Sequence, residues 1–358
     1  MVNVLGWDIG GANTKAAFIS TDNGAVKEFR TMMEYFPFWK RNAEQLCVML
    51  SKVKDKLASP MKLDCVGVTL TAELSDVYRT KREGVNQILE CVQRVFAREQ
   101  VYVLDVDGAL ISVEAAKSEP LKVASANWAA TGWMVSKSIG DCVVVDVGST
   151  STSIIPIADG KIAAAGKTDL QKLMNGELVY TGSLRTNVTA TVNTIPLRAG
   201  VARVSSELFA QSADVHLILG NITKKEYTVE TADGQGKTRR DALMRLARVV
   251  CADTEMVAEN EIAQIASYVY NKQVEQIADG LNQVYFRLKS NAKTTVPAVV
   301  TGLGKDFLAR KAAEKAGVKK ILDLSELIPA KAALASPAVG IALMAATQLE
   351  GRNLQWMQ

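Results

Sequence analysis

The feature that most constrains this chain is a pattern that occurs twice. An apolar run, residues 2–7, leads into Asp8-Ile9-Gly10, a polar turn, and a second apolar run over 14–19. At residue 141 the same order returns: apolar 142–145, then Asp146-Val147-Gly148, a polar turn, and apolar residues to 157. Short apolar runs bounded by turn residues read as buried strands. The dipeptides Asn23-Gly24 and Asp159-Gly160 follow the two copies and read as tight hairpins. Laying Asp146 on Asp8 places Gly148 on Gly10 and Thr152 on Thr14. A supersecondary unit repeated in this way predicts a duplicated α/β architecture.

The rest of the chain is organised around these two copies. The pattern predicts helices near 42–57, 84–97, 109–117 and 124–138, with strands at 63–70 and 101–106. Residues 180–240, rich in Thr, Gly and Asn, predict loops and an inserted subdomain, and 241–288 reads as largely helical. A strand at 296–301 feeds Gly302-Leu303-Gly304 and a helix opening near Asp306. Ser336-Pro337-Ala338 opens a last helix over 336–350. The expected division is 1–138 for one lobe and 139–358 for the other, the last helix packing back on the first.

Composition excludes several classes of function. The 42 Lys and Arg against 38 Asp and Glu leave a net charge of +4, with no basic run to suggest nucleic acid. The five cysteines form no CxxC pair and are expected reduced, as in a cytoplasmic protein. No uncharged apolar run is long enough to cross a membrane, and no leader is expected before the first strand. His216 is the only histidine, which disfavours a histidine-rich zinc site and a Ser-His-Asp triad. It is expected to be buried or at a strand edge. A metal here is expected to be magnesium, which prefers oxygen ligands.

Five segments carry candidate chemistry. Asp8, Gly10, Gly11, Asn13, Thr14 and Lys15 combine a carboxylate with glycines that let backbone amides approach a phosphate. Alone, this turn reads equally well as an ordinary hairpin. Asp146, Gly148, Ser149, Thr150, Ser151 and Thr152 repeat it with added hydroxyls. The pair is much more specific, and places Asp8 and Asp146 as metal ligands. Gly302 and Gly304 stand between a strand and a helix, a natural anion contact. Thr71-Ala72-Glu73-Leu74-Ser75-Asp76 offers Glu73 and Asp76 for proton transfer, the alternative being that Ser75 or Asp76 caps a helix. Arg185 in a polar loop suits an anion, or is a surface residue. Gly236-Lys237-Thr238 is not a P-loop, because Thr231 stands where the first glycine is required. Residues 231–234 with Lys237, Arg239 and Arg240 read as a solvated turn or as a mobile basic lid.

Together these residues resemble the actin/sugar-kinase/Hsp70-like (ASKHA) superfamily, a duplicated ribonuclease-H-like fold with an interlobe cleft. Within it the chain is similar to the hydantoinase-A-like family once labelled a probable tetrahydromethanopterin-linked one-carbon transfer protein. The shared elements are G-W-D-I-G-G-A-N-T-K at 6–15, T-A-E-L-S-D at 71–76, N-W-A-A-T at 127–131, V-D-V-G-S-T-S-T at 145–152 and T-A-D-G at 231–234. The resemblance covers the whole chain. It implies methanofuran biosynthesis: a magnesium-assisted transferase reaction in which the phenol of γ-glutamyltyramine displaces diphosphate from 5-(aminomethyl)-3-furanmethanol diphosphate. It implies Asn127, Arg185 and Lys237 as substrate contacts, small-molecule partners only, and leaves a homo-oligomer open. The phosphate motifs alone also fit an ATP-dependent small-molecule kinase or ATPase, a non-enzymatic phospho-ligand sensor, or a hydantoinase-type amidohydrolase.

Overall fold

The computed structural model describes residues 1–291 and 295–356. The chain forms two compact units. One comprises Met1–Val144, Ile155–Met174 and Leu322–Gln358; the other comprises Val145–Ile154 and Asn175–Ile321.

The first sheet is built from β1 (Val2–Ile9), β2 (Asn13–Asp22), β3 (Ala25–Tyr35), β4 (Cys65–Leu70), β5 (Gln100–Leu104) and β6 (Leu110–Ser112), in the order β3-β2-β1-β4-β5-β6. The β2–β3 hairpin turns at Asn23 and Gly24, both at positive φ, as the Asn-Gly signal predicts. β4 runs parallel to β1 and β5, and all its residues are buried, the pattern of a strand covered on both faces. Helices α1 (Ala43–Ala58) and α2 (Lys81–Val95) bury Leu46, Leu50, Ile88 and Leu89 in one core with Trp7, Phe18 and Val68. Asn42 and Gln45 close α1 with a reciprocal capping box.

Two local expectations are corrected here. Neither Ser75 nor Asp76 caps α2. A 3-10 turn over Ala72–Leu74 takes up that stretch, and Thr80 is the cap, its Oγ1 accepting from Glu83 N at 3.2 Å. The expected helix over 109–117 begins as β6, because Leu110 and Ile111 pair with β5. Ser112 then caps a shorter α3 (Val113–Ser118). Helix α4 (Asn127–Ser136) follows.

The second sheet contains β7 (Cys142–Val147), β8 (Thr152–Ala158), β9 (Lys161–Ile162), β10 (Leu178–Val179), β13 (Ala298–Thr301) and β14 (Ile321–Asp323). Its order is β10-β8-β7-β13-β14, with β9 also on β8. The run β9-β8-β7-β13-β14 repeats β3-β2-β1-β4-β5 strand for strand, so the duplication read from the turns extends to topology.

Between β9 and β13 lie α5 (Asp169–Met174), α6 (Val188–Thr191), a separate β11 (Thr194–Leu197) and β12 (Gly200–Arg203) hairpin, α7 (Ser212–Ile218), α8 (Arg239–Arg248) and the long α9 (Glu259–Asn291). Residues 180–240 thus hold mostly loops with two short helices and one hairpin, and α8 and α9 fill the stretch expected to be helical. His216 sits on α7, a helix and not a strand edge. A π-type turn at Lys305–Ala309 leads into α10 (Arg310–Lys315).

After α11 (Ala330–Ala333), α12 (Ser336–Glu350) packs on β1, β2, β4 and α4. Glycines permit this close fit. Gly6 and Gly67 are partners in the β1–β4 register. A Cβ on Gly67 would stand 2.8 Å from Ile341 Cγ1, and one on Gly6 would overlap the Ala338 carbonyl.

Candidate active site

In the first unit the β1–β2 turn carries the first glycine motif. Asp8 is buried at the end of β1, and Lys15, its partner in the β2 register, brings Nζ to 3.7 Å from Asp8 Oδ2. The segment 71–76 lies against this turn. Thr71 N donates to Ile9 O at 2.9 Å. A Cβ on Gly10 would stand 2.6 Å from Asn13 O and 3.5 Å from Thr71 Oγ1, and one on Gly11 would stand 3.2 Å from Ser75 Oγ. Only glycine leaves backbone open at such a turn. The hydroxyls of Thr14 and Thr69, opposite Ile9 and Asp8 in the sheet register, are buried and make no hydrogen bond. Buried polar atoms are almost always paired; Thr69 shares the face of its register partner Asp8 and brings an unpaired hydroxyl to that side of the sheet, whereas Thr14, the partner of Ile9, lies on the other face.

A buried polar cluster adjoins the same segment. Glu73 is 1% exposed, seated against Gly84 of α2, where a Cβ would stand 2.7 Å from Glu73 Cα. Its Oε1 is 2.6 Å from Ser125 Oγ and 3.5 Å from Lys81 Nζ, while Oε2 is buried without a hydrogen bond. Ser125 Oγ is also 2.7 Å from Asp169 Oδ2, and Lys81 Nζ is 2.6 Å from that same oxygen. Burial pushes the Glu73 carboxyl above the usual carboxylate range; the Ser125 hydrogen bond and the Lys81 charge oppose that shift. Ser125 adopts a left-handed backbone, φ 55°, just before α4, a conformation a non-glycine residue keeps only where its surroundings impose it. Asn127 opens α4 two residues later and is half-buried. Asp76, by contrast, is exposed.

In the second unit three segments far apart in sequence converge on the other glycine motif. Gly148 N donates to Ser151 O at 2.9 Å, closing the turn before Thr152. The loop 181–186 is stitched onto it: Ser183 N and Oγ donate to Gly148 O, and Leu184 and Arg185 N donate to Ser149 O. Thr152 Oγ1 donates to Thr181 O at 2.8 Å, and Arg185 Nη1 to Thr150 Oγ1 at 3.3 Å. Gly182 sits so close to Ser149 and Thr150 that a Cβ would fall within 2.7 Å of their backbone. From β13, Gly302 (φ +87°) brings the chain against Asp146, where a Cβ would stand 2.5 Å from Oδ1, and Gly304 N donates to Val147 O at 3.0 Å.

Behind this loop stands His216. Its Nδ1 is 3.2 Å from Asn221 Nδ2 and its Nε2 3.0 Å from Gln273 Oε1. Burial pushes the imidazole down to about 3, so it is neutral. An amide nitrogen can only donate to it, so Nδ1 accepts and Nε2–H donates to Gln273. Gln273 Nε2 in turn donates to Thr181 Oγ1 and Gly182 O, at 2.9 and 2.8 Å.

Residues 231–240 are anchored. Asp233 is paired with Arg245 and Arg248, Arg239 with Glu259, and Lys237 Nζ donates to Tyr227 O at 2.8 Å. Arg245 is fully buried against Asp214, which also accepts from Tyr227. The T-A-D-G element thus builds the helical subdomain, and no glycine turn is among these partners of Lys237. Sequence reasoning did not single out Lys81, Ser125, Asp169, Asp214, Arg245 or Gln273. Ser125 alone had a local signal, its place just before N-W-A-A-T.

Among the described residues no group of three or more His, Cys, Asp or Glu side chains is arranged to hold a metal, and no helix is long and apolar enough to cross a membrane. Magnesium commonly relies on one or two carboxylates and on substrate oxygens, a donor set that Asp8 or Asp146 with the neighbouring hydroxyls fits.

The chain is 40% identical over 350 residues to the (4-{4-[2-(γ-L-glutamylamino)ethyl]phenoxymethyl}furan-2-yl)methanamine synthase of Methanocaldococcus jannaschii, covering 98% of this chain and 99% of that one. It is 35% identical over 216 residues to the synthase of the same name from Methanococcus vannielii, covering 59% of this chain and 94% of the relative. Among solved structures, a nucleotide-free acetone carboxylase superposes with a TM-score of 0.58 at 11% identity, over 96% of this chain and 70% of that one. That likeness concerns the fold alone. Residues 64–351 match the Hydantoinase/oxoprolinase family, and the chain belongs to that family.

Proposed function

We propose that this chain is the transferase that forms the aryl ether of methanofuran biosynthesis, joining γ-glutamyltyramine to 5-(aminomethyl)-3-furanmethanol diphosphate with release of diphosphate. The observation that carries this reading is the 40% identity to the Methanocaldococcus jannaschii synthase along almost the full length of both chains. The name of that relative spells out a product in which a phenoxymethyl bridge joins a glutamylaminoethyl ring to an aminomethyl furan. Such a bridge forms when a phenol oxygen replaces a leaving group on the furan methylene.

The glycine turns suit that leaving group. Gly10, Gly11, Asn13, Thr14 and Lys15 form the turn of the first unit, and residues 148–152 with Gly302 and Gly304 that of the second. Because Gly148 N, Gly304 N and Thr152 Oγ1 already donate to backbone carbonyls, the Lys15 ammonium and the hydroxyls of Ser149, Thr150 and Ser151 are the groups proposed for phosphate oxygens. Arg185, held beside Thr150, adds a fixed positive charge. Asp8 and Asp146 are the ligands proposed for magnesium, which would neutralise charge developing on the departing diphosphate. The furan ring shares positive charge at the methylene carbon, so the bond to diphosphate breaks early. Asn127, close in sequence to Ser125, is the residue proposed to contact the phenolic substrate. Lys237 has no part in this scheme.

The test is mass spectrometry of a reaction holding both substrates and magnesium, with heavy oxygen in the phenol. The expected result is a coupled ether that carries the label, unlabelled diphosphate, and no need for ATP. Coupling only when ATP is supplied, or ADP as the sole new compound, favours a kinase or ATPase and contradicts the proposal.

A further inference from the structure

The Glu73–Ser125–Asp169 contacts set a problem in proton counting. Ser125 Oγ lies 2.6 Å from Glu73 Oε1 and 2.7 Å from Asp169 Oδ2. Both distances are those of hydrogen bonds to oxygen. The hydroxyl has one proton and can donate to only one carboxyl group. The other contact is attractive only if the second carboxyl carries a proton itself. Lys81 Nζ lies 3.2 Å from Ser125 Oγ and has protons only to give, so it occupies one lone pair of that oxygen. Asp169 Oδ2 faces both Ser125 and Lys81, so a proton there would make one oxygen donate to Ser125 while accepting from the ammonium. The arrangement that avoids this has Glu73 as a neutral acid donating to Ser125, Ser125 donating to Asp169, and Lys81 donating to both Ser125 and Asp169.

The surroundings of each carboxyl agree with this order. Glu73 is enclosed, and the charged groups facing it are Lys81 from α2 and Asp169 from α5, with the Tyr78 phenol nearby. Its second oxygen has no hydrogen bond to stabilise a negative charge. Asp169 is different: its side chain is 22% exposed, that of Lys81 is 24% exposed, and the two are paired. Asp169 is therefore the reachable end of the cluster, with the Lys81 ammonium facing it.

We propose that Asp169 is the base that takes the phenol proton of the incoming substrate, and that Ser125 and a permanently protonated Glu73 position it from behind. This rests on the ether-forming reading above. In the step, the phenol O–H bond breaks and its proton passes to the Asp169 carboxylate. The phenol oxygen forms its bond to the furan methylene, and the electrons of the bond to the methylene leave with diphosphate. Lys81 stays protonated and restrains Asp169 from drifting into solvent. Glu73, named by sequence as a base candidate, becomes a positioning residue that already holds a proton.

The experiment compares wild-type and Asp169→Asn protein on γ-glutamyltyramine and on its ring-fluorinated analogue, whose phenol is more acidic and needs less help from a base. Wild-type protein is expected to couple both phenols at similar kcat. Asp169→Asn is expected to lose about 100-fold or more in kcat on the ordinary phenol, in the range for removal of a general base, and to regain most of that loss on the fluorinated one. Recovery also shows that the variant is folded. Glu73→Gln, which keeps a donor in place of the acid, is expected to retain kcat within about tenfold. Equal loss by Asp169→Asn on both phenols, or undiminished kcat on the ordinary one, overturns the assignment. Collapse of Glu73→Gln does the same, because it would mean that Glu73 must ionise. No coupling by wild-type protein with either phenol strikes instead at the ether-forming reading, a distinguishable failure that takes this assignment with it.

Discussion

His216 and Glu73 are both buried ionisable side chains, and burial penalises the charged form of each, pushing the imidazole down and the carboxyl up. In His216 the neutral ring fixes a tautomer, and through Gln273 that tautomer holds the 181–186 loop against the second glycine turn. The unfolded imidazole titrates near pH 6.5, whereas the native one is held down to about 3. Between those values the unfolded chain binds a proton that the native chain refuses. Stability from this residue is therefore intact above about pH 6.5 and drains away as pH falls, at about 1.4 kcal/mol per pH unit. His216→Gln removes that titration. Urea unfolding is expected to show wild-type protein losing about 2 kcal/mol more than the variant between about pH 7 and about pH 5. Equal losses would mean that the native imidazole titrates normally.

At the scale of elements, the fit of α12 on the first sheet depends on glycines in two neighbouring strands. Gly6 leaves no room for a side chain beneath the helix. Gly6→Val is expected to cost about 3 kcal/mol or more, at the upper end for overpacked cores, read as a lower denaturation midpoint and as faster amide exchange over 336–350. An unchanged midpoint would show that the helix is not seated on this strand. The elements also show why some of the fold was legible and some was not. Asn23-Gly24 and Asp159-Gly160 are local signals, because the dipeptide itself adopts the turn. Ser336-Pro337 announced α12 for the same reason. Leu110 and Ile111 offered too few residues to distinguish helix from strand, and β5 decides the matter by pairing with them. A lone His216 carried no signal to separate helix from strand, and in the structure Asp214, accepting from Gln211 N, closes the first turn of its helix.

For the whole molecule, the repeated Asp-x-Gly turns predicted a repeated topology, and the two strand orders match. The candidate site was legible only in part. Motif spacing found the glycine turns and Glu73, since each depends on a few consecutive residues. It could not find that Lys81, Ser125 and Asp169 gather around Glu73, or that residues 181–186 and 302–304 gather around Gly148, because tertiary folding alone brings them together. The account's central claim is that Asp8 and Asp146, the aspartates of the two turns, each serve diphosphate release. The measurement that tests it most directly is diphosphate release from the furan substrate, titrated with magnesium, for Asp8→Asn and Asp146→Asn. The account predicts that each substitution lowers kcat by about 100-fold or more, the scale for removing a preorganised charge-stabilising group, and raises the magnesium needed for half-maximal rate. Wild-type release at wild-type magnesium in both variants would contradict it.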